Sequence, residues 1–177
     1  MLWEERRCCF TGHRPDKLPW GAEEDAPGCL RLKECLEAEI LRLFRGGVTE
    51  FFTGMAMGVD LWAAEILIGL RQQYRELRVL AVVPCRRQAE DWPPAWQRRY
   101  LDVLRRADEV IYLQDGFTED CMVRRDRYMV DHCGHVIAVY GGLPGGTRYT
   151  LSYAQRQGRD ITVLDPANFA DLGRRKT

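Results

Sequence analysis

The sequence predicts an α/β protein: one domain with a largely parallel sheet and helices on both faces. Three observations lead there. Short apolar runs alternate along the chain with segments whose apolar residues recur at helical spacing. One run, Arg78 to Pro84 (RVLAVVP), is apolar over most of its length, as expected of a strand covered on both faces. A chain of 177 residues with 46% hydrophobic content can bury one sizeable core and is too short for two. Such alternation implies βαβ units with right-handed crossovers.

The elements follow in order. Arg6 to Gly12 (RRCCFTG) reads as a short strand ending in a turn. After a loop rich in Pro and Gly, Cys29, Leu32, Leu36, Ile40 and Leu43 mark a helix that Gly46 and Gly47 close. Thr49 to Gly54 (TEFFTG) is the second strand, and Val59, Trp62, Ala63, Ile66, Leu67 and Leu70 form the apolar stripe of the next helix. The third strand, RVLAVVP, leads through CRRQAEDWPP to a helix with Trp96, Tyr100, Val103, Leu104 and Ala107 on one side. Asp108 to Leu113 is the fourth strand. A helix from about Glu119 to His132, a strand from His135 to Tyr140, a helix from about Thr147 to Gln157 and a strand from Asp160 to Asp165 complete the series. The tail over 171–177 reads as disordered.

Composition narrows the function classes. The formal net charge is zero, which argues against a protein that coats DNA or a membrane surface, so nucleic acid is not the expected partner. Only Lys17, Lys33 and Lys176 are lysines among 26 basic residues, so arginine, which suits bidentate phosphate contacts, supplies most of the positive charge. The seven cysteines form no CxxC pair and no secretory segment is evident, which predicts a reduced, cytoplasmic protein with mostly buried thiols. No apolar run approaches the ~18 residues of a membrane span, so no membrane insertion is expected. His132, Cys133 and His135 lie close together in DHCGH, but a fourth ligand at a familiar spacing is missing and no metal site is predicted. Exposed apolar helix faces leave room for a homo-oligomer.

In an open parallel sheet, ligands bind beyond the carboxyl ends of the strands. Three loops at that edge are unusual. The first offers Thr11, Gly12, His13 and Arg14; in the second, Gly54 and Gly58 bracket a tight turn; the third is GGLPGGT, ending in Gly145, Gly146 and Thr147. A helix N-terminus presents unpaired N–H groups and partial positive charge, so a phosphate there needs few side chains. Glycine lets such an anion approach the backbone, and Thr147 can donate a hydroxyl while capping the helix. These loops predict a nucleotide phosphate site. No GK[ST] and no GxGxxG is present, which argues against the usual ATPase and dehydrogenase readings.

CCFTGHRPDKLPW, FFTGMAMGVDLWAAEIL, DRYMVDHCGHVIAVYGG and GGTRYTLSYA together closely resemble the YpsA-like family. That family lies in the SLOG superfamily of Rossmann-like domains, which also holds the DNA-processing protein DprA and the LOG phosphoribohydrolases. The resemblance covers roughly Arg7 to Pro166. It implies a Rossmann-like domain that binds a small-molecule nucleotide or nucleotide derivative, such as NAD or ADP-ribose, in a sensing or regulatory role. It also leaves a nucleoside-phosphate or NAD glycosidic hydrolase, and a DprA-like nucleic-acid binder, as alternatives.

Two departures bear on chemistry. The LOG pattern PGGxGTxxE ends in a catalytic glutamate; with Gly146 and Thr147 aligned as its GT, that position holds Thr150, which neither stabilises a ribosyl cation nor activates water. The upstream residues Met122, Arg125 and Met129 match the pattern. Where relatives show Arg-Asn-Arg, this chain has Arg125, Asp126 and Arg127, and an ionised aspartate can only accept. A direct phosphate contact is therefore expected of Arg125 rather than of Asp126. Glu65 and Asp131 are the carboxylates left to a hydrolase, Asp60 is placed to favour a helix dipole, and Trp92 is the candidate to stack on a base.

Overall fold

The computed structural model describes residues 2–170, so the tail predicted to be disordered lies outside the described residues. Six strands, β1 (Arg7–Gly12), β2 (Glu50–Thr53), β3 (Arg78–Val83), β4 (Glu109–Tyr112), β5 (His135–Val139) and β6 (Asp160–Leu164), form one sheet in the order β4-β3-β2-β1-β5-β6. Every pairing is parallel. Five α-helices, α1 (Pro27–Arg45), α2 (Val59–Leu70), α3 (Pro94–Arg106), α4 (Cys121–Asp131) and α5 (Gly146–Arg156), make the connections.

The strands are apolar on both sides because both sides are covered. Cys8, Phe10, Phe51, Val79, Ala81, Val83, Ile137 and Val139 pack with α1, α2 and α3. Their alternates Cys9, Phe52, Leu80, Val82 and Val136 pack with Met129 and Val130 of α4 and Ala154 of α5. The period-2 alternation of a strand thus feeds two cores at once. On α1, the predicted stripe Cys29, Leu32, Leu36, Ile40 and Leu43 is the buried face. On α2 the stripe is wider than predicted: Asp60, Leu61, Ala64 and Ile68 are buried as well, because α2 is wedged between α1 and α3 over β1, β2 and β3.

The topology fixes where a ligand can enter. The chain winds outward from β1 to β4, crosses back through α4, and resumes on the other side of β1 with β5, where Gly12 pairs with Val139. The adjacent carboxyl ends of β1 and β5 therefore lead into loops that run to opposite faces of the sheet. A crevice must open between them, and ligands of open parallel sheets bind there.

Candidate functional site

That crevice is a polar cavity of about 220 Å³, lined by Thr11, Gly12, His13, Arg14, Lys17 and, from the surrounding elements, Ala56, Asp60, Met122, Arg125, Asp126, Gly146 and Thr147, with Phe10 and Asp16. Of the residues singled out in the sequence, Thr11, Gly12, His13, Arg14, Asp60, Met122, Arg125, Asp126, Gly146 and Thr147 meet in it, whereas Gly54, Gly58 and Gly145 do not line it.

The β1 loop is held by packing and by one histidine. A side chain at Gly12 would come within 2.7 Å of Val59, so only glycine lets β1 and the start of α2 approach this closely. The main-chain N–H of His13 donates to the Val139 carbonyl (3.1 Å), and its ring Nε2 accepts from the N–H of Gly141 (3.1 Å). Burial, followed by repulsion from Lys17, lowers the pKa of this imidazole, which matches its use as an acceptor. His13 thereby ties the β1 loop to the glycine loop after β5. Lys17 makes a second tie, donating to the Pro144 carbonyl at 3.1 Å.

The glycine loop has two separate requirements for small residues. Gly145 has φ +137°, and a Cβ there would lie 2.8 Å from Lys17 Nζ, so this glycine serves backbone conformation and close approach. Gly146, the first residue of α5, has no atom within 4 Å of its Cβ position. It borders the cavity and leaves space open. The helix begins one residue earlier than predicted, which moves Thr147 from the expected cap into the first turn; Gly145 takes the N-cap position and no side chain caps the helix. The hydroxyls of Thr147 and Thr11, both residues only 7% exposed, have no hydrogen-bond partner among the described residues. Buried hydroxyls that line a cavity without a protein partner are open to a ligand or water.

Another part of the lining is charged. Arg125 on α4, 6% exposed, donates through Nε to Asp126 Oδ1 (2.6 Å) and through Nη1 to the Gly54 carbonyl. Burial works against its charge, but Asp126 and Asp60 outweigh burial and its pKa is raised. The guanidinium expected to contact ligand is thus largely engaged within the protein. Gly54 serves that engagement: a Cβ there would lie 2.7 Å from the Arg125 Cζ. Gly58 (φ +90°) packs under Pro15 and starts α2. Asp126 is also within 3.1 Å of the Thr150 hydroxyl, which lies 3.0 Å from the Gly146 carbonyl.

Asp60, 6% exposed, accepts the Ala56 N–H at Oδ2 (3.2 Å) and so braces the turn before α2 rather than the first turn of the helix. Thr53 braces the same turn, its hydroxyl donating to the Asp60 carbonyl (2.9 Å) and accepting from the Met55 N–H (3.2 Å). Burial pushes the Asp60 carboxyl up to about 6 against the opposing pull of Arg125.

The remaining candidates lie elsewhere. Glu65 receives two bonds of 2.7 Å from Arg99, which also pairs with Glu24. It joins α2 to α3 away from the cavity. Asp131 closes the far end of α4, roughly 13 Å along the axis from Met122 at ~1.5 Å per residue, and accepts from the Tyr153 hydroxyl at 2.8 Å. Trp92 packs edge-on against Tyr100, with centroids 5.5 Å apart, as part of the core. In DHCGH, His132 bonds the Tyr128 carbonyl (2.7 Å), Cys133 faces Cys9 (3.4 Å) and His135 faces Asp160 (3.7 Å), three different directions. Lys17 and the wall-forming role of Asp126 were not foreseen. Lys17 is the one lysine in the loop after β1, a signal that sequence reading could have used. Among the described residues no helix is long and apolar enough to cross a membrane.

Fold and site together define a Rossmann-like α/β protein with a polar, helix-terminated pocket at its topological switch point. A family model described as the YspA SLOG family (YpsA) matches residues 8–168, and the chain belongs to that family. A UPF0398 protein of Halalkalibacterium halodurans is 29% identical over 146 residues, covering 78% of this chain and 77% of that protein. The SPbeta prophage-derived protein YoqJ of Bacillus subtilis is 29% identical over 155 residues, covering 79% and 91%. Among solved structures, DNA processing protein A from Helicobacter pylori, described for its single-stranded DNA binding mode, superposes with a TM-score of 0.61 at 17% identity, covering 92% of this chain and 69% of that one. DprA from Streptococcus pneumoniae superposes with a TM-score of 0.57 at 16% identity; this chain spans about half, 54%, of its length. At these identities the likeness is one of fold.

Proposed function

We propose that this protein binds a nucleotide or nucleotide derivative of the NAD or ADP-ribose type, as a sensing or regulatory module. The observation that supports this reading is the partnerless pair of buried hydroxyls, Thr11 and Thr147, beside the uncapped N-terminus of α5 and the open space at Gly146. A phosphate placed there accepts from both hydroxyls and from the first-turn N–H groups, with Arg14 and Lys17 at the mouth. The cavity is smaller than the roughly 300 Å³ at which pockets begin to enclose a drug-sized ligand. It takes phosphate and sugar and leaves the base at the rim, where no aromatic clamp is required. Binding rather than glycosidic cleavage fits the positions of Glu65 and Asp131 outside the cavity. Calorimetry with AMP, NAD and ADP-ribose tests the reading: saturable binding by at least one is expected, and none at millimolar concentration would remove it.

A second reading, binding of single-stranded DNA, is favoured by the outer face of α4 and α5. Arg124, Arg127, Arg148 and Arg156 are exposed there, and Arg127 lies 5.6 Å and 5.5 Å from the ring centroids of Tyr149 and Tyr153. Arginines interleaved with aromatic rings suit a stacked, charged strand. Four phosphate contacts would give a salt dependence of about −3 on logarithmic axes. Failure to shift an oligothymidylate at low salt would dispose of this reading.

A further inference from the structure

The cavity lining brings together two walls of opposite chemical character. Donors make up one: the Thr11 and Thr147 hydroxyls, the first turn of α5, Arg14 and Lys17. The other presents the carboxylates of Asp60 and Asp126 around Arg125. A ligand made only of phosphate would satisfy the first wall and be repelled by the second. An ionised carboxylate only accepts, so the group facing the second wall must bring its own hydrogens.

These two carboxylates are placed to receive such a group. Asp126 is held from two sides, by Arg125 Nε at Oδ1 and by the Thr150 hydroxyl at Oδ2, which fixes its orientation while each oxygen keeps a further lone pair. Asp60 is more than nine-tenths buried and borders the cavity; its Oδ2 accepts from Ala56, and among the described residues its Oδ1 has no partner. An acceptor of a buried residue left without a protein partner beside a cavity is open to a donor on the ligand.

From this opposition we infer that the site is specific for ribonucleotides: with the phosphate on the donor wall, the vicinal 2′- and 3′-hydroxyls of a ribose donate to Asp126 and Asp60. The inference rests on the nucleotide reading above and adds to it the sugar that is selected. Both sets of groups line one cavity of about 220 Å³, so they act on the same half of the ligand. The base plays no part in this selection.

The test compares AMP with 2′-deoxy-AMP by calorimetry on the wild-type protein, in EDTA and again in magnesium. A hydrogen bond to a charged acceptor is strong enough that loss of the 2′-hydroxyl is expected to weaken binding roughly 10- to 100-fold. The preference should shrink to less than threefold in Asp126→Asn, while inorganic phosphate competes at least as well as in the wild type, since a repelling charge has gone. Should that variant not fold, Asp60→Asn provides the same comparison. Equal affinity of the wild type for AMP and 2′-deoxy-AMP would overturn this inference and leave the nucleotide reading standing. Binding of both that appears only with magnesium would overturn it too, because the carboxylates would then be holding a cation. Absence of binding by AMP, NAD and ADP-ribose alike would overturn both readings together.

Discussion

Replacing Gly146 by valine separates occupancy of the pocket from integrity of the fold. Gly146 is the first helical residue of α5, its φ lies outside the left-handed region, and nothing stands within 4 Å of where a Cβ would go. The Cβ of a valine there meets no atom from elsewhere in the fold, and removing glycine from a helix lowers the conformational entropy of the unfolded chain. The unliganded variant is therefore expected to melt within about 2 °C of wild type, since surface-like changes stay within roughly 0.5 kcal/mol and each kcal/mol moves a domain of this size by roughly 2 to 4 °C. The branched side chain, however, occupies space a phosphate oxygen needs in order to lie about 2.9 Å from a main-chain nitrogen. A ligand present at 100 times its dissociation constant stabilises wild type by about 2.7 kcal/mol, which is a rise of roughly 5 to 10 °C. Thermal-shift measurements with AMP, NAD and ADP-ribose should show that rise in wild type and lose most of it in Gly146→Val. An undiminished ligand shift in a folded Gly146→Val protein would refute the placement of the phosphate at this helix.

Two further perturbations concern stability and pH. The Asp60 carboxyl, raised from 3.8 to about 6 in the fold, favours folding while protonated; that contribution is complete below about pH 3.8 and is lost as pH rises through about 6. At about 1.36 kcal/mol per pH unit the loss is on the order of 3 kcal/mol, so denaturant melts between pH 4 and 7 should show Asp60→Asn gaining on wild type as pH rises; parallel curves would contradict the burial argument. Glu24 behaves oppositely. Its burial raises its pKa, but bonds from Arg99 and Lys33 dominate and hold the carboxyl at about 2, so its contribution is present above about 4.5 and lost as pH falls toward 2. Its side chain is 25% exposed, and after allowance for solvent screening the contribution is on the order of 1 to 2 kcal/mol. Glu24→Gln should thus cost that much at pH 7 and little at pH 2, measured by the same melts.

The sequence disclosed the sheet because each strand is apolar on two faces, as RVLAVVP shows, and the helices because their stripes repeat. It disclosed Gly12, Arg14 and Thr147 because loops at one edge of a parallel sheet must converge. It could not disclose which glycine served what. Gly54 makes room for Arg125, Gly145 serves a backbone conformation (φ +137°), and Gly146 borders the cavity, and the first of those roles depends on a partner 71 residues away. For the same reason Glu65 read as a spare carboxylate. Its partner Arg99 comes from the next helix, 34 residues on, and periodicity does not pair charges across helices.

Asp126 and Thr150, the two departures from the resembled patterns, meet in the fold. The LOG pattern has a glutamate where this chain has Thr150, and the relatives with Arg-Asn-Arg have an asparagine where it has Asp126; here the two side chains are 3.1 Å apart. This chain thus carries one carboxylate at this place, supplied by α4. Side chains in contact are expected to be energetically coupled. Asp126→Asn alone withdraws the nearest counter-charge of Arg125, a buried cation. Thr150→Glu alone sets a second carboxylate against Asp126 in a site where Thr150 is only 1% exposed. The double variant restores one carboxylate beside Arg125. Any steric cost of the larger glutamate occurs in both the single and the double variant and cancels in the cycle. Denaturant melts of the four proteins should therefore give a double variant less destabilised than the sum of the singles, by about 0.5 to 3 kcal/mol. Additive losses would mean that Asp126 serves Arg125 alone and that its contact with Thr150 is incidental.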